Sequence, residues 1–148
     1  MDAKTQQQYA ETFHGLHKKG DPLVLFNAWD VATAKAIAKT SPAVATSSGA
    51  VASALGYADG ENAPFDMVTG LVSRMTAAVP VPVSIDLEAG YGDTPDAAAE
   101  SATVIRSRPD SRVALVVSGT SAVVSANIFC SSATLKSLAV RIGAWWFA

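Results

Sequence analysis

Short apolar runs alternate with segments of helical periodicity along the first hundred residues of the chain. Three runs bounded by turn residues are predicted to be buried parallel strands, namely 23–26, 43–46 and 81–85. Apolar spacing and start signals predict helices over 5–19, after Asp30, over 66–79 and from Thr94-Pro95. This alternation predicts parallel α/β structure, as either an open doubly wound sheet or a closed barrel.

The composition favours a soluble globular protein and excludes several kinds of partner. The 148 residues are 49% hydrophobic and 16% charged, with a formal net charge of −2. Basic clusters are absent from the sequence, so we expect no binding to nucleic acid or to an anionic membrane. Residues 113–135 lack charged side chains but contain too many small polar residues to predict a membrane span. The single cysteine, Cys130, forms no internal disulfide, which favours a cytoplasmic location.

Two acidic residues follow the third predicted strand, in the segment Ile85-Asp86-Leu87-Glu88-Ala89-Gly90-Tyr91-Gly92. If the strand continues through them, Asp86 and Glu88 project to the same side, at the end where parallel α/β proteins place their active sites. Two convergent carboxylates favour a hard cation, Mg²⁺ or Mn²⁺. The alternative is a pair of solvated acids without a metal.

A second candidate site follows the second predicted strand, at Thr46-Ser47-Ser48-Gly49. Hydroxyl groups and free amides at the start of a helix can bind a carboxylate or phosphate oxygen. The alternative is that Ser47 or Ser48 only caps the helix. Asp59, in the loop that follows, has no local feature that distinguishes it from a solvated acid.

Four segments occur together in an order that resembles the isocitrate lyase/phosphoenolpyruvate mutase superfamily, including the 2-methylisocitrate lyase-like and carboxyphosphonoenolpyruvate phosphonomutase-like members. They are 22–30 (PLVLFNAWD), 43–49 (AVATSSG), 55–61 (LGYADGE) and 86–92 (DLEAGYG). The resemblance implies that 1–106 forms the N-terminal three to four βα units of a (β/α)₈ barrel, with a site at the carboxyl ends of its strands. Intact members of the family are expected to be homo-oligomers.

The resemblance also implies a role for each candidate residue. Asp86 corresponds to the direct Mg²⁺ ligand, and Glu88 to an acid that holds metal-bound water. The segment Ser47, Ser48 and Gly49 matches the loop that binds a substrate carboxylate or phosphoryl oxygen. Asp59 matches the loop acid that acts as nucleophile or positioning group. Glutamate at position 88 is closer to the lyase-like members than to the mutases.

The sequence departs from the family after residue 106. The glutamate that completes the metal site on the fourth strand is missing, and the segment there reads Val-Val-Ser-Gly. We therefore expect 107–148 to be a divergent tail from a shifted reading frame or mis-splicing. The implied function is a Mg²⁺-dependent lyase that acts on a small oxo- or hydroxy-carboxylate. The alternative is an inactive truncated fragment or an association module with the same fold.

Overall fold

The computed structural model describes residues 3–107, 113–118 and 125–127. The helices are α1 (Ala3–Gly15), α2 (Val31–Ile37), α3 (Ser48–Leu55), α4 (Phe65–Ala78) and α5 (Pro95–Ser107). The strands are β1 (Phe26–Ala28), β2 (Val44–Thr46), β3 (Val83–Asp86), β4 (Val113–Ser118) and β5 (Ser125–Asn127). The predicted tail 107–148, including Cys130, lies largely outside the described residues, and its origin stays a prediction.

The strands lie in the sheet in the same order as in the sequence, β1-β2-β3-β4-β5. Strands β1 to β4 are mutually parallel, whereas β5 is antiparallel to β4. An open doubly wound sheet reverses its strand order near the middle, but this order runs in one direction. Sequential parallel order is the order of a (β/α)₈ barrel, so the structure is the partial barrel that the resemblance implies.

One face of the sheet carries the helices. Ala28, Val44 and Val83 lie on this face and pack with residues of α2, α3 and α4. Ile85 continues the same face and packs with Val72 of α4 and with residues of α5. The opposite face carries in-register small or polar residues, namely Asn27, Ala45 and Ser84. This face corresponds to the interior of a barrel.

Helices α2 and α5 begin where their start signals predict, whereas the helix predicted over 5–19 spans Ala3–Gly15. Asp30 caps α2: its Oδ1 accepts a 2.7 Å hydrogen bond from the Thr33 amide, and the Thr33 hydroxyl reciprocally accepts from the Asp30 amide. The Thr94 hydroxyl accepts a hydrogen bond from the Ala97 amide at the start of α5. The Asp30 cap fixes where the chain turns into a helix after β1. The Thr94 cap does the same at the start of α5, after the turn that follows β3.

Helix α1 lies at the amino-terminal end of the sheet. Phe13 is buried against Ala43, which directly precedes β2. The Tyr9 hydroxyl donates a 3.4 Å hydrogen bond to the carbonyl oxygen of Pro80, shortly before β3. Helix α1 therefore covers the end opposite the carboxyl ends of the strands, and it leaves those ends accessible.

The first strand differs from its prediction. The apolar run 23–26 was expected to be a strand buried on both faces, but β1 is Phe26–Ala28. Leu23 and Leu25 pack with Phe13 of α1 instead of pairing in the sheet. Phe26 is 57% exposed because it lies on the outer strand. Strand β5 has no clear periodicity in the sequence and was not predicted.

Gly70 lies within helix α4, where replacement by alanine is expected to stabilise the helix. A methyl group there would lie 3.6 Å from the Arg74 Nη1 atom, an ordinary contact with a flexible side chain. Because glycine is a poor helix former, Gly70→Ala should raise the free energy of unfolding by about 0.5–1 kcal/mol. Chemical denaturation measures this change, and a lower midpoint would show that the backbone at Gly70 has to move.

Within the described ranges 3–107, 113–118 and 125–127, none of the helices is long and apolar enough to cross a membrane.

Candidate active site

A small cavity opens at the carboxyl ends of β2 and β3. Polar groups from these strand ends and apolar residues of α3 and α4 line it together. The polar or aromatic lining residues are Thr46, Ser48, Asp86, Glu88 and Tyr91. The structure thus brings the two segments singled out in the sequence, 46–49 and 86–92, to one place.

Asp86, the last residue of β3, connects the elements of the site. Its Oδ2 accepts hydrogen bonds from the Ser48 amide at 3.2 Å and from the Ser48 hydroxyl at 2.9 Å. Its Oδ1 accepts from the Glu88 amide at 3.2 Å, and its own amide donates to the Thr46 hydroxyl at 3.0 Å. These contacts fix the Asp86 carboxylate between the end of β2 and the turn after β3.

The serine segment starts α3, but it does more than cap the helix. Ser47 occupies the N-cap position without a side-chain capping hydrogen bond. Ser48 directs both its amide and its hydroxyl to Asp86. The interpretation that these serines only cap α3 is therefore wrong for Ser48.

Asp59 approaches the same segment from the loop between α3 and α4. A methyl group on Gly49 would lie 3.1 Å from the Asp59 Oδ2 atom. Glycine at position 49 thus makes room for this carboxylate beside the first turn of α3. The Asp59 side chain is largely exposed, and it lies next to the serine segment.

Glu88 lies at the site because of a turn in the backbone and not, as expected, because of strand alternation. Strand β3 ends at Asp86, so strand alternation does not place Glu88 beside it. Glu88 instead has a φ of 53°, in the left-handed region, and its amide bonds to Asp86. This conformation costs a non-glycine residue on the order of 1–3 kcal/mol of folding free energy. It persists only where surrounding contacts stabilise it, which is often the case at functional sites.

Glu61 was not assigned a role from the sequence, yet it connects two loops of the site. Its amide donates a 3.0 Å hydrogen bond to Glu88 Oε2. Its Oε1 accepts a 2.7 Å hydrogen bond from the Tyr91 amide. In the sequence Glu61 ends the family-like segment 55–61 and lies in the polar run 59–62, and neither feature indicates this pairing.

The electrostatics of the site are dominated by negative charge. Burial raises the pKa of Glu88, and the carboxylates of Asp59, Glu61 and Asp86 raise it further, against a hydrogen bond from the Glu61 amide that lowers it. Burial raises the pKa of Tyr91 to about 12, together with the carboxylates of Glu88, Glu61, Asp59 and Asp86, so its phenol is protonated and able to donate at neutral pH. The acids of the site thus repel one another, as expected where a cation binds.

The raised pKa of Glu88 predicts a pH dependence of stability in metal-free buffer. The folded state holds the proton more tightly than the unfolded state, in which glutamate has a pKa near 4.5. The contribution of Glu88 to stability is therefore complete below pH 4.5 and is lost as the pH rises through the folded pKa. Relative to the native chain, Glu88→Gln should become increasingly more stable from pH 4.5 to pH 7.

Thermal unfolding with a chelator at both pH values tests this, with Glu100→Gln on the exposed side of α5 as a control for the loss of a carboxylate. A stability difference between Glu88→Gln and the native chain that does not change with pH would contradict the prediction.

A cation at this site would have few protein ligands. In the part of the chain that the structure describes, three or more histidine, cysteine or acidic side chains do not form a ready-made metal-binding group. Asp86 and Glu88 offer two carboxylates, and Mg²⁺ is commonly held by one or two carboxylates with several waters. The residues therefore fit a magnesium ion that completes its coordination with water and ligand oxygens.

Parallel strands in sequential order, with acidic and serine loops at their carboxyl ends, define a partial (β/α)₈ barrel of the lyase/mutase type. Residues 13–109 match the phosphoenolpyruvate phosphomutase family, and the chain belongs to this family. The match includes Ser47, Ser48, Gly49, Asp59, Asp86 and Glu88.

The relatives are longer than this chain. It is 42% identical over 90 residues to an uncharacterised protein found in two strains of Mycobacterium tuberculosis, a match that covers 60% of this chain and 34% of the relative. A solved Burkholderia cenocepacia structure assigned as a phosphonomutase has a TM-score of 0.64 and 40% identity, over 68% of this chain and 41% of that one. A second structure from that organism, assigned as a lyase/mutase, has the same TM-score and 32% identity, over 70% and 37%. The chain thus spans about a third to two fifths of these relatives.

Proposed function

We propose that this chain carries the metal- and substrate-binding end of a Mg²⁺-dependent lyase or mutase. The substrate is a small oxo- or hydroxy-carboxylate, in which a C–C bond is cleaved or a P–C bond is rearranged through an enolate. The observation that carries the proposal is the convergence of the Asp86, Glu88 and Asp59 carboxylates beside the serine segment. Glutamate at position 88 favours the lyase over the mutase.

Asp86 and Glu88 would hold the cation, Asp86 directly and Glu88 through water. Both Asp86 oxygens already accept hydrogen bonds, which fix the orientation of the carboxylate at the end of β3. When bound, Mg²⁺ (or Mn²⁺) would supply the positive charge that stabilises an enolate. The cation would also relieve the repulsion among the acids.

The serine segment would bind an anionic oxygen of the substrate. The Ser47 hydroxyl makes no capping hydrogen bond, and the first amides of α3, of which the Ser48 amide donates to Asp86, lack partners within the helix. The positive end of the helix dipole favours a carboxylate or phosphoryl oxygen there. Asp59, directly beside Gly49, would act as nucleophile or would position the substrate.

A thermal-shift measurement with Mg²⁺ and oxalate, an analogue of the pyruvate enolate, tests the proposal. At about 100 times the dissociation constant, we expect the melting temperature to rise by roughly 5–10 °C. Release of an oxo-acid from a panel of 2-hydroxy and 2-oxo diacids then tests turnover. Absence of both a shift and turnover would rule out the proposed function for this chain.

A second function, that of an association module, is favoured by the outer edge of the sheet. Within the described residues β1 pairs only with β2, and Val24 and Phe26 beside this edge are 63% and 57% exposed. An exposed strand edge with apolar side chains favours pairing with another chain. Sedimentation of the native chain and of Phe26→Lys tests this, because the substitution should reduce association without affecting binding of Mg²⁺.

A further inference from the structure

The turn after β3 contains an unusual concentration of left-handed residues. Glu88 and Tyr91 have φ values of 53° and 55°, and Glu61, which contacts both, has a φ of 59°. None of the three is glycine, so the backbone alone does not favour these conformations. Contacts from outside the turn must therefore stabilise it.

Glu61 takes part in two hydrogen bonds that supply such contacts. Its backbone amide donates to Glu88 Oε2 at 3.0 Å, and its side-chain Oε1 accepts from the Tyr91 backbone amide at 2.7 Å. The bond to Glu88 fixes a carboxylate, and the bond from Tyr91 fixes the backbone three residues further on. The loop between α3 and α4 thereby binds the turn at two points.

We propose that Glu61 is a positioning residue whose side chain fixes the Tyr91 end of the turn and thereby holds its own backbone amide against the Glu88 carboxylate for cation binding. This inference rests on the proposed function, in which Glu88 holds a metal-bound water. Glu61 acts through its hydrogen-bonding oxygen rather than through its charge. Glutamine retains that oxygen and removes the charge, whereas alanine removes both, so the two variants separate the roles.

Amide hydrogen exchange measures the contact without any metal. In Glu61→Ala, the Tyr91 amide should exchange at least about tenfold faster than in the native chain, because it loses a charge-assisted hydrogen bond. In Glu61→Gln, the Tyr91 amide should stay largely protected. The Val44 amide, which donates to Pro82, reports the stability of the sheet and normalises the rates. Unchanged exchange at Tyr91 in Glu61→Ala would overturn the proposal.

Calorimetric titration with Mg²⁺ measures the consequence for the site. Glu61→Ala should weaken binding by about 10-fold, the lower end of the effect of removing an outer hydrogen-bonding partner of a metal site, because the backbone amide that contacts Glu88 remains. Glu61→Gln should recover most of this loss, and Glu100→Ala, at an exposed position of α5, should bind as the native chain does. Equal losses in Glu61→Ala and Glu61→Gln would show a role of charge alone and overturn the inference.

The two proposals fail in different ways. If the native chain does not bind Mg²⁺, the proposed function is wrong, and with it the role of Glu61 in cation binding. If the native chain and Glu61→Ala bind Mg²⁺ equally well, the proposed function stands and the inference about Glu61 is wrong.

Discussion

Asp86→Asn is expected to lose the rise in melting temperature that Mg²⁺ and oxalate give the native chain. The substitution removes the negative charge that would bind the cation directly. It also leaves one acceptor oxygen where Asp86 uses two, one for Ser48 and one for the Glu88 amide. Because even residues behind a metal ligand contribute 10–100-fold to affinity, the loss in Mg²⁺ affinity should be at least about 100-fold.

Asp96→Asn is the matched control, because it removes a carboxylate from an exposed position in the first turn of α5. It should retain the full shift with Mg²⁺ and oxalate. The melting temperatures of both variants without metal separate a loss of binding from a loss of folding. A metal-dependent shift that persists in Asp86→Asn would show that the cation binds elsewhere.

Gly90→Ala is expected to destabilise the fold strongly. Gly90 has a φ of 98°, and a methyl group there would lie 2.5 Å from the Ala98 Cβ atom and 3.1 Å from its Cα. The backbone strain costs about 1–2 kcal/mol and the overpacking about 1–3 kcal/mol, so we expect a loss of about 2–5 kcal/mol in the free energy of unfolding. Denaturant unfolding measures this loss.

Three other glycine positions separate these two causes. Gly56→Ala introduces only the strain, because φ is 86° and the surrounding space is open. Gly92→Ala introduces only the clash, 2.6 Å from the Ala97 Cβ atom, and Gly15→Ala introduces neither. If Gly90→Ala is no more destabilising than Gly15→Ala, α5 does not pack against this turn as described.

The alternation of apolar runs and helical segments was sufficient to predict the parallel α/β structure. Buried strands β2 and β3 lie where their apolar runs predict, because the helix-facing positions Val44, Val83 and Ile85 are buried and apolar. The run 23–26 is equally apolar, but Leu23 and Leu25 pack against α1 instead. An apolar run predicts burial, and it does not distinguish burial in a sheet from burial beneath a helix.

The site was predictable where its residues follow strands, and unpredictable where they depend on loop geometry. Asp86 and the serine segment follow strand ends, and the order of parallel strands brings them together. Glu88 and Glu61 instead depend on left-handed backbone conformations, which their side chains do not favour. At Gly90 and Gly92 the nearest neighbours are Ala98 and Ala97 of helix α5, an approach that no pattern in the sequence predicts.

The paired hydrogen bonds of Glu61 have a consequence for engineering enzymes of this type. Loops of (β/α)₈ barrels are commonly treated as exchangeable parts, because each follows its own strand. Here the loop after α3 and the turn after β3 stabilise each other's conformation across two successive units. Exchange of either segment alone would leave a carboxylate and an amide without their partners. A transplant that aims to change specificity should therefore move residues 59–62 and 86–92 together.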